Sequence, residues 1–373
     1  LWIKIMAYSS IVKPTDYFNT VLWTGDNTAR TISGVGFQPD WIWWKQRNGT
    51  DSHRLADAVR GEGSASYKLL FSDDTSAEFN GDDNGGSQGN INAITSDGFS
   101  GVQGTSGYNN WNGNSYNYVA WNWKAGTSFS NDASATGVGD IDSSGSINTT
   151  AGFSIIGYNG NNTSSAGIAH GLGTTPSMII QKRRADSVAS WRVWHNKIHA
   201  TSGETKTLLL NTTAANASDN DNISGVSSTT FTVRGAGGAT NPNGSACIAY
   251  CFAGKKGYSK FGVYTGNGNA DGTFVYTGFK PAWIITKRTD TSGNWHLYDN
   301  KRLGYNVDNN PLKPNNTEST DTADFIDIVS NGFKSRSTDA AMNASGGTYI
   351  YMAFAENPFV ANDSGTAVPV VAR

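Results

Sequence analysis

The chain has 373 residues, of which 37% are hydrophobic and 44 are glycine, a length that predicts two or three domains. Its 28 basic and 30 acidic residues nearly cancel without a basic cluster, so we expect no nucleic-acid partner. No apolar run approaches the roughly 18 residues of a membrane helix, so we expect no membrane insertion.

The chain begins with a segment, residues 1–16, that contains only a short apolar piece around one lysine. This is too little for a signal peptide. Met6 followed by Ala7 predicts a natural start there, with Leu1 to Ile5 as an upstream addition.

One phrase occurs three times along the chain. "WIWWKQR" (41–47) returns as "MIIQKRR" (178–184) and as "WIITKR" (283–288). Each copy follows a Gly-x-x-Pro motif, and a lysine stands six residues after each proline. Those glycines, prolines and lysines are Gly36, Pro39 and Lys45, then Gly173, Pro176 and Lys182, then Gly278, Pro281 and Lys287. A fixed set of spacings at this period indicates tandem copies of one structural unit.

The units are bounded by similar strands at their beginnings and ends. The first unit is predicted at 17–126, the second at 152–256 and the third at 257–357. Many short alternating strands with Gly, Asn, Asp and Ser turns predict an all-β fold of three tandem β-sandwich repeats. At this size we expect each unit to bury its own core.

The remaining segments are connections. Residues 127–151 are predicted to form a Gly/Ser-rich linker, either a flexible connector or an extended surface strand. Residues 358–373 are predicted to form an extended C-terminal tail that docks on another surface. The sequence "HRLADAVRG" (53–61) is the best candidate for a short helix.

Each unit closes with an aromatic-rich strand in which apolar residues alternate. In the second unit this strand also contains the two cysteines, Cys247 and Cys251. Both lie on the opposite face from Ile248, Tyr250 and Phe252, about 13 Å apart, which is too far for a disulfide. We interpret them as reduced, packing thiols of a protein that is assembled in a reducing cytoplasm.

Residues that could support catalysis or metal binding are few. The five glutamates are dispersed, which argues against the paired carboxylates of a glycosidase. His53 and Asp57 resemble His296 and Asp299 in position; a His/Asp pair and a repeated structural hydrogen bond both fit, and the second is favoured. "NGNADG" (267–272) and "DNDN" (219–222) resemble parts of calcium loops, but a tight turn explains the same letters. We therefore predict no catalytic residue, no metal and no cofactor.

Surface aromatics of the first unit are the predicted binding site. Trp44 stands where the other units have Gln181 and Thr286, so we expect its indole on a wet surface. Trp111 lies in a loop of Asn, Gly and Tyr. Flat apolar rings beside polar side chains suit a sugar or a protein partner, although packing within the chain remains an alternative. The predicted binding residues are Trp44, Tyr108, Trp111, Asn112, Asn114 and Tyr116.

The repeated phrases resemble repeats in tail-fibre-like and other virion proteins of marine tailed bacteriophages. The resemblance rests on "GFQPDWIWWKQR", "GVGDIDSSGSINTTAGFSIIGYNG", "YSKFGVYTGNGNADGTFVYTGFKPAWIITKRTD" and "NASGGTYIYMAFAENPF", and it covers residues 17–357. It implies a domain of unknown function with a concanavalin/lamin-G-like sandwich, a virion location and a homotrimer. It supplies no catalytic residues.

The resulting hypothesis is a non-enzymatic virion protein, a tail-fibre or spike component that presents its sandwiches to host-surface polysaccharide. The alternative is a capsid or tail decoration protein that binds only other virion proteins. A polysaccharide depolymerase is a third, more distant class.

Overall fold

The computed structural model describes residues 9–358, except 64–65, 81–88, 103, 105–110, 186–187, 200–205, 236–237, 304–305, 307–309 and 324, and also the backbone of 360–363 and 366–369. The fold is nearly all β, and each helix in the described residues is a single short turn. None of these helices has the length and apolar character needed to span a membrane. We keep the names first, second and third unit for residues 17–126, 152–256 and 257–357.

A 3₁₀ turn at Pro14–Asp16 precedes the first unit. The strands of that unit are β1 Phe18–Thr24, β2 Arg30–Ile32, β3 Trp41–Gln46, β4 Arg54–Asp57, β5 Leu70–Phe71, β6 Asn90–Thr95, β7 Gly98–Val102 and β8 Asn117–Trp123.

Two strands and a helical turn lead into the second unit. They are β9 Thr127–Asn131, α1 Ala133–Thr136 and β10 Ser143–Asn148. The unit itself contains β11 Phe153–Asn159, β12 Ser165–Ala169, β13 Met178–Arg183, β14 Arg192–His195, α2 Asn196–His199, β15 Lys206–Leu209, β16 Ala217–Ser218, β17 Ile223–Ser224, β18 Thr230–Arg234 and β19 Ala246–Phe252.

The third unit contains β20 Ser259–Thr265, β21 Phe274–Tyr276, β22 Phe279–Arg288, β23 Trp295–Asp299, β24 Ile326–Val329, β25 Gly332–Ser335, α3 Ala340–Asn343 and β26 Thr348–Pro358. The predicted tail contains β27 Val360–Asp363 and β28 Thr366–Pro369, which pair with each other as a separate two-stranded sheet.

One strand order occurs in all three units. The larger sheets contain the orders β1-β8-β3-β4, β11-β19-β13-β14 and β20-β26-β22-β23, and the smaller sheets are β2-β7-β6, β12-β18-β17 and β21-β25-β24. The registers also correspond, because Trp41, Met178 and Trp283 pair with Trp123, Phe252 and Phe354. In each unit an apolar core lies between the larger and the smaller sheet. The units are therefore β-sandwich-like.

The repeated Gly-x-x-Pro motif has a backbone cause. Gly36, Gly173 and Gly278 have φ values of 86°, 65° and 85°. This left-handed region is accessible to glycine without the steric cost that a Cβ atom brings. The motif marks the turn that leads into the strands β3, β13 and β22.

The stretch predicted as a linker, 127–151, is part of the second sandwich. Strand β10 pairs with β11 along its whole length, and β9 pairs with β10. Of the two alternatives open at the level of sequence, the extended surface strand is correct and the flexible connector is wrong. These strands give the second unit the widest sheet, ordered β16-β15-β14-β13-β19-β11-β10-β9.

The three units meet around a common aromatic core. The outer faces of their larger sheets turn inward together, so that each unit has one core of its own and contributes to a second, shared core. Trp41 of the first unit stacks on Tyr250 of the second at 4.4 Å, and Trp123 meets Trp283 of the third edge-on at 5.4 Å. The expectation that each unit buries its own core is therefore correct for the face between its two sheets. It is wrong for the outer face of the larger sheet, which the other two units bury.

A closed ring of backbone hydrogen bonds surrounds this shared core. Each bond joins an N–H of one unit to the carbonyl two residues after the repeated lysine of the next unit. The three bonds are Glu78 to Arg184 at 2.8 Å, Asn216 to Thr289 at 3.0 Å, and Thr320 to Arg47 at 2.8 Å. The bond from Thr320 to Arg47 joins the third unit to the first, so the three units form a closed ring.

Candidate functional site

The indole of Trp44 is buried, so the surface position predicted for it is wrong. Trp44 is 0% exposed, and its counterparts Gln181 and Thr286 are 0% and 1% exposed. Strand β3 has other strands on both sides, the shared core on one face and the smaller sheet on the other, so neither face meets water. Gln181 is accommodated by a hydrogen bond to the carbonyl of Ala239 at 3.0 Å. A polar residue at this position therefore did not indicate exposure.

The indole of Trp111 is also fully buried, which contradicts the second predicted surface aromatic. It packs between Trp23 and Phe99, with ring centroids at 5.8 and 6.0 Å. Its space is provided by Gly101, since a Cβ atom there would lie 2.3 Å from the indole. The second unit has Val233 at the corresponding position of β18. Trp111 thus fills the volume that an aliphatic side chain fills in another unit.

The polar residues of the same loop hold it to the turn between β1 and β2. Asn112 is buried and donates from Nδ2 to Asp26 at 2.6 Å and to the carbonyl of Thr28 at 2.9 Å. Asn114 is exposed and Tyr116 is half-buried. Tyr108 lies outside the described residues. Of the described members of the predicted set, Trp44 and Trp111 lie in one core against which Tyr116 packs. Neither a sugar nor a protein partner can reach the two indoles.

The region predicted as a short helix, 53–61, instead forms β4 and a turn that is closed by a buried ion pair. Arg60 donates from Nε to Asp57 at 2.5 Å, and both side chains are 0% exposed. The hydroxyl of Tyr250, from the second unit, donates to the same carboxylate at 2.7 Å. Burial raises the pKa of Tyr250 well above its usual value, so it remains a donor. This cluster joins two units.

The third unit contains the same arrangement. Arg302 donates from Nε to Asp299 at 2.6 Å, and the indole N–H of Trp121 donates to that carboxylate at 3.1 Å. In the second unit the corresponding position is His195, which pairs with Met178 as Asp57 pairs with Trp41. The ring Nε2 of His195 lies 3.3 Å from the carbonyl of Tyr351 in the third unit. All three positions contact the next unit of the ring, as a repeated structural hydrogen bond would.

The two histidines are not equivalent, which corrects the alignment made from spacing. Trp44 pairs with Arg54 and Thr286 pairs with His296, so His53 corresponds to Trp295. His53 is buried and accepts the indole N–H of Trp43 at 3.0 Å. Burial lowers the pKa of His53 well below 6.5 and that of His296 to about 4. Both rings are neutral and enclosed, and neither faces an aspartate as an acid–base pair.

The repeated lysines are buried as well. Lys182 and Lys287 donate from Nζ to the carbonyls of Thr75 and Thr213 in the preceding unit, at 3.2 and 3.3 Å. Burial lowers the pKa of Lys287 to about 8, and that of Lys45 likewise. A lysine with a lowered pKa can act as a nucleophile, but these have no access to solvent. Lys182 and Lys287 hold loops of the preceding unit, whereas Lys45 donates to the carbonyls of Gln46 and Gly49 in its own unit.

The cysteines lie where alternation predicted them. Cys247 and Cys251 are unpaired and buried in the core of the second sandwich. Burial raises the pKa of the Cys247 thiol to about 12, so at neutral pH it is protonated and unreactive.

The two sequences considered as calcium loops are stabilised by their own hydrogen bonds. The Oδ1 atoms of Asn267 and Asn269 accept N–H groups two residues on, and Asp271 pairs with Lys334 at 2.5 Å. In the other loop Asp221 accepts the N–H groups of Ala239 and Thr240. Within the described residues, no group of three or more His, Cys, Asp or Glu is placed to hold a metal.

A polar groove of about 450 Å³ lies where Val59 of the first unit faces strands β9, β10 and β11. Its charged residues already have partners. Asp132 accepts the hydroxyl of Ser134, Asp142 accepts the N–H of Ala133, and Arg184 forms two bonds of 2.7 Å to Glu78. The groove is a polar surface without an arranged acid and base.

The third unit exposes aromatic side chains that were not singled out from the sequence. Phe274 and Tyr276 of β21 are 46% and 48% exposed, and Val263 of the neighbouring β20 is 46% exposed. The sequence contains an indication of this exposure. In "TFVYTG" both faces of the strand are apolar, whereas apolar and polar residues would alternate in a half-buried strand. The first unit has Thr31 and Ser33 at the corresponding positions. This open side is the candidate interaction site of the molecule.

Comparison with known families matches residues 13–358 to a family described as "Domain of unknown function (DUF7483)". Curated proteins and solved structures contain no significant match to the chain.

Proposed function

The chain belongs to the DUF7483 family, a domain of unknown function, and on this premise we propose that it is a non-enzymatic structural protein of a phage virion. The resemblance of its repeated phrases to tail-fibre-like proteins supports a virion location. The observation that carries the proposal is the closed ring of three units around one shared core.

The ring favours a structural role for a physical reason. Neighbouring domains of one chain usually share polar interfaces and move relative to each other. Here the interface is an aromatic core, and several buried ionisable residues make contacts between units there. They are Asp57, Asp299, His195, Lys182 and Lys287. Units joined in this way are expected to move together as one body, and their buried ionisable groups cannot reach a substrate.

The finer form of the fold is also a proposal. We infer that the units are three tandem copies of one jelly-roll or concanavalin-like sandwich, because their strand orders, registers and motif glycines correspond. An experimental structure in which the three larger and smaller sheets fail to superpose would refute it.

Our first candidate is a tail-fibre or spike component that contacts the host surface. The second is a decoration protein that binds other virion proteins, and the exposed apolar side of the third unit favours it. Burial of Trp44 and Trp111 removes both from any glycan site. The homotrimer implied by the resemblance remains a prediction, but a three-membered ring already exists within one chain.

Immunogold labelling of purified virions with antibodies against this chain tests the proposal. Label at the tips of the tail fibres or spikes supports the first candidate, and label along the tail tube or on the capsid supports the second. Protein that is found only free in the lysate, with unlabelled particles, would refute a virion role. Release of reducing ends from host polysaccharide by the purified chain, lost on mutation of an acidic residue, would place it among enzymes.

The rigid ring has its own test, which is expression of residues 17–126 alone. Separated from the others, this unit exposes Trp41, Trp43, Trp121 and Trp123. We expect it to aggregate or bind a hydrophobic dye, while the whole chain does neither. A soluble, cooperatively folding first unit would contradict the shared core.

A further inference from the structure

One side of the sandwich is covered in the second unit and open in the third. In the second unit, β10 pairs with β11 and so covers the edge that β11 would otherwise form. The N–H of Asp140 also donates to the carbonyl of Gly167 in β12, the edge strand of the smaller sheet, at 2.8 Å. The corresponding strands of the third unit, β20 and β21, stand at the edges of their sheets, with no strand of the described chain beside them.

The connections explain this difference. The cover of the second unit comes from the residues that precede it, between β8 and β11. Only six residues, 253–258, join β19 to β20. At about 3.3 Å per residue they cannot cross to the edge and form a strand pair as well. The third unit therefore has no cover from the chain that leads into it.

The two open edges of the third unit lie side by side and form one surface. Thr273 donates to the carbonyl of Thr265 at 2.7 Å, and Lys260 donates to the carbonyl of Tyr276 at 2.6 Å. The exposed side chains of Val263 and Phe274 belong to these two strands. The ammonium group of Lys260 sits 5.0 Å over the Tyr276 ring, so its charge is turned toward the protein.

The backbone of β20 is ready to pair. Alternate residues of an antiparallel strand point their N–H and C=O groups away from the partner strand. The N–H of Gly266 donates to Gly347 on the β26 side. By alternation, the N–H and C=O groups of Thr265, Val263 and Phe261 point away from β26, toward the open edge. Edge strands are normally protected against pairing with another chain by charges, prolines or bulges. Strand β20 contains one charged residue, Lys260, and no proline or bulge.

The first unit provides the contrast. Leu22 occupies the position of Val263 and is 40% exposed, but the neighbouring strand β2 begins with the charged residue Arg30. Arg30 donates to the carbonyl of Thr24 and pairs with Asp26, and Asn19 donates to the carbonyl of Val35. The first unit therefore has a charged side chain and an ion pair at β2, whereas β21 of the third unit has no charged residue.

We propose that the open side of the third unit binds the same side of a second copy of this chain, through antiparallel pairing of β20 with its counterpart. Two identical strands that pair antiparallel are related by a two-fold axis, so one surface serves both partners. The pairing places apolar residues against apolar residues, and the inward-turned Lys260 avoids opposing charges at the centre. The inference does not depend on a place in a virion.

Sedimentation equilibrium across a concentration series tests the proposal. We expect a dimer of twice the 39.7 kDa chain mass. Val263→Pro removes an outward N–H that has no partner in the described part of the chain, a substitution that edge strands tolerate. Tyr276→Asp places a charge in the apolar surface. Each should raise the dissociation constant at least about tenfold without loss of the fold. The matched control, Leu22→Pro at the equivalent edge of the first unit, should leave it unchanged.

Hydrogen exchange gives a second measurement. The Val263 amide should be protected only at concentrations where the dimer forms. A chain that stays monomeric, variants that dimerise like the wild type, or dissociation by Leu22→Pro would each overturn the proposal. So would a Val263 amide that is protected in the monomer, which would show that the chain covers its own edge. Protection that appears in a monomer only on addition of host polysaccharide would assign the surface to a glycan instead.

Discussion

Replacement of Asp57 by alanine should destabilise the whole ring. The side chain of Arg60 is 0% exposed and is held by Asp57, so the substitution leaves a buried guanidinium with only the longer contact of 3.4 Å to the carboxylate of Glu78. Breaking a buried pair from one side costs about 3–5 kcal/mol. The hydroxyl of Tyr250 loses its acceptor at the same time, and since a folded protein is stable by only about 5–15 kcal/mol, the effect is a large fraction of the total.

The expected shift of the melting temperature depends on how much of the chain unfolds together. The unfolding entropy of about 2.1 cal/mol/K per residue gives about 0.8 kcal/mol/K for all 373 residues. A loss of 3–5 kcal/mol then lowers Tm by about 4–6 °C. If the first unit unfolded alone, the same loss would lower Tm by about 13–22 °C. The shared core predicts the smaller shift, in a single calorimetric transition.

A double-mutant cycle locates the effect. The variants are Asp57→Ala, Tyr250→Phe and their combination, measured by denaturant unfolding, with a coupling of about 1.5–3 kcal/mol expected for a hydrogen bond to a charged group. Asp299→Ala, which removes the carboxylate that binds Arg302 and Trp121, should behave like Asp57→Ala. The exposed Asp16→Ala should cost under about 1 kcal/mol. A loss below 1 kcal/mol for Asp57→Ala, or zero coupling to Tyr250, would refute this account of the contact between units.

Three further predictions concern buried side chains. Trp44→Ala and Trp111→Ala should each cost about 3–5 kcal/mol of unfolding free energy by denaturant titration; a change under 0.5 kcal/mol would mean a surface role. Burial lowers the pKa of His296 to about 4, so between about pH 6.5 and 4 only the unfolded chain takes up that proton. Stability should therefore fall as pH falls through this window, by up to about 1.4 kcal/mol per pH unit from this group, and His296→Gln should flatten the curve; an unchanged curve would contradict its burial. Cys247 and Cys251 should react with a thiol reagent slowly in native protein and fast in denaturant, and rapid native labelling would show that they are accessible.

The amino-acid pattern was sufficient for the local features. Period-2 alternation predicted the closing strands and the burial of Cys247 and Cys251. The repeated Gly-x-x-Pro predicted equivalent positions in the three units, and its glycines all have positive φ. These features depend on backbone geometry and on which face of a strand is apolar, and both can be deduced from neighbouring residues.

The same pattern failed where burial depended on a second layer. Comparison of Trp44 with Gln181 and Thr286 suggested a wet position, but all three are enclosed. Alternation divides a strand into two faces and does not reveal what covers each of them. A central strand between two layers is buried on both faces, and a polar residue there needs only a hydrogen-bond partner.

By itself, the sequence determined the β structure, the correspondence of the three units and the turns that separate their strands, because these follow from interactions between residues close in the chain. Only the tertiary structure decided that the units close into a ring and that 127–151 covers the second unit. It also decided that, among the aromatic residues the structure describes, Phe274 and Tyr276 are exposed while Trp44 and Trp111 are buried. The contact of Asp57 with Tyr250 spans 193 positions and that of Trp121 with Asp299 spans 178. Such pairs leave no local pattern, since each residue is selected by a partner that only the folded chain brings near.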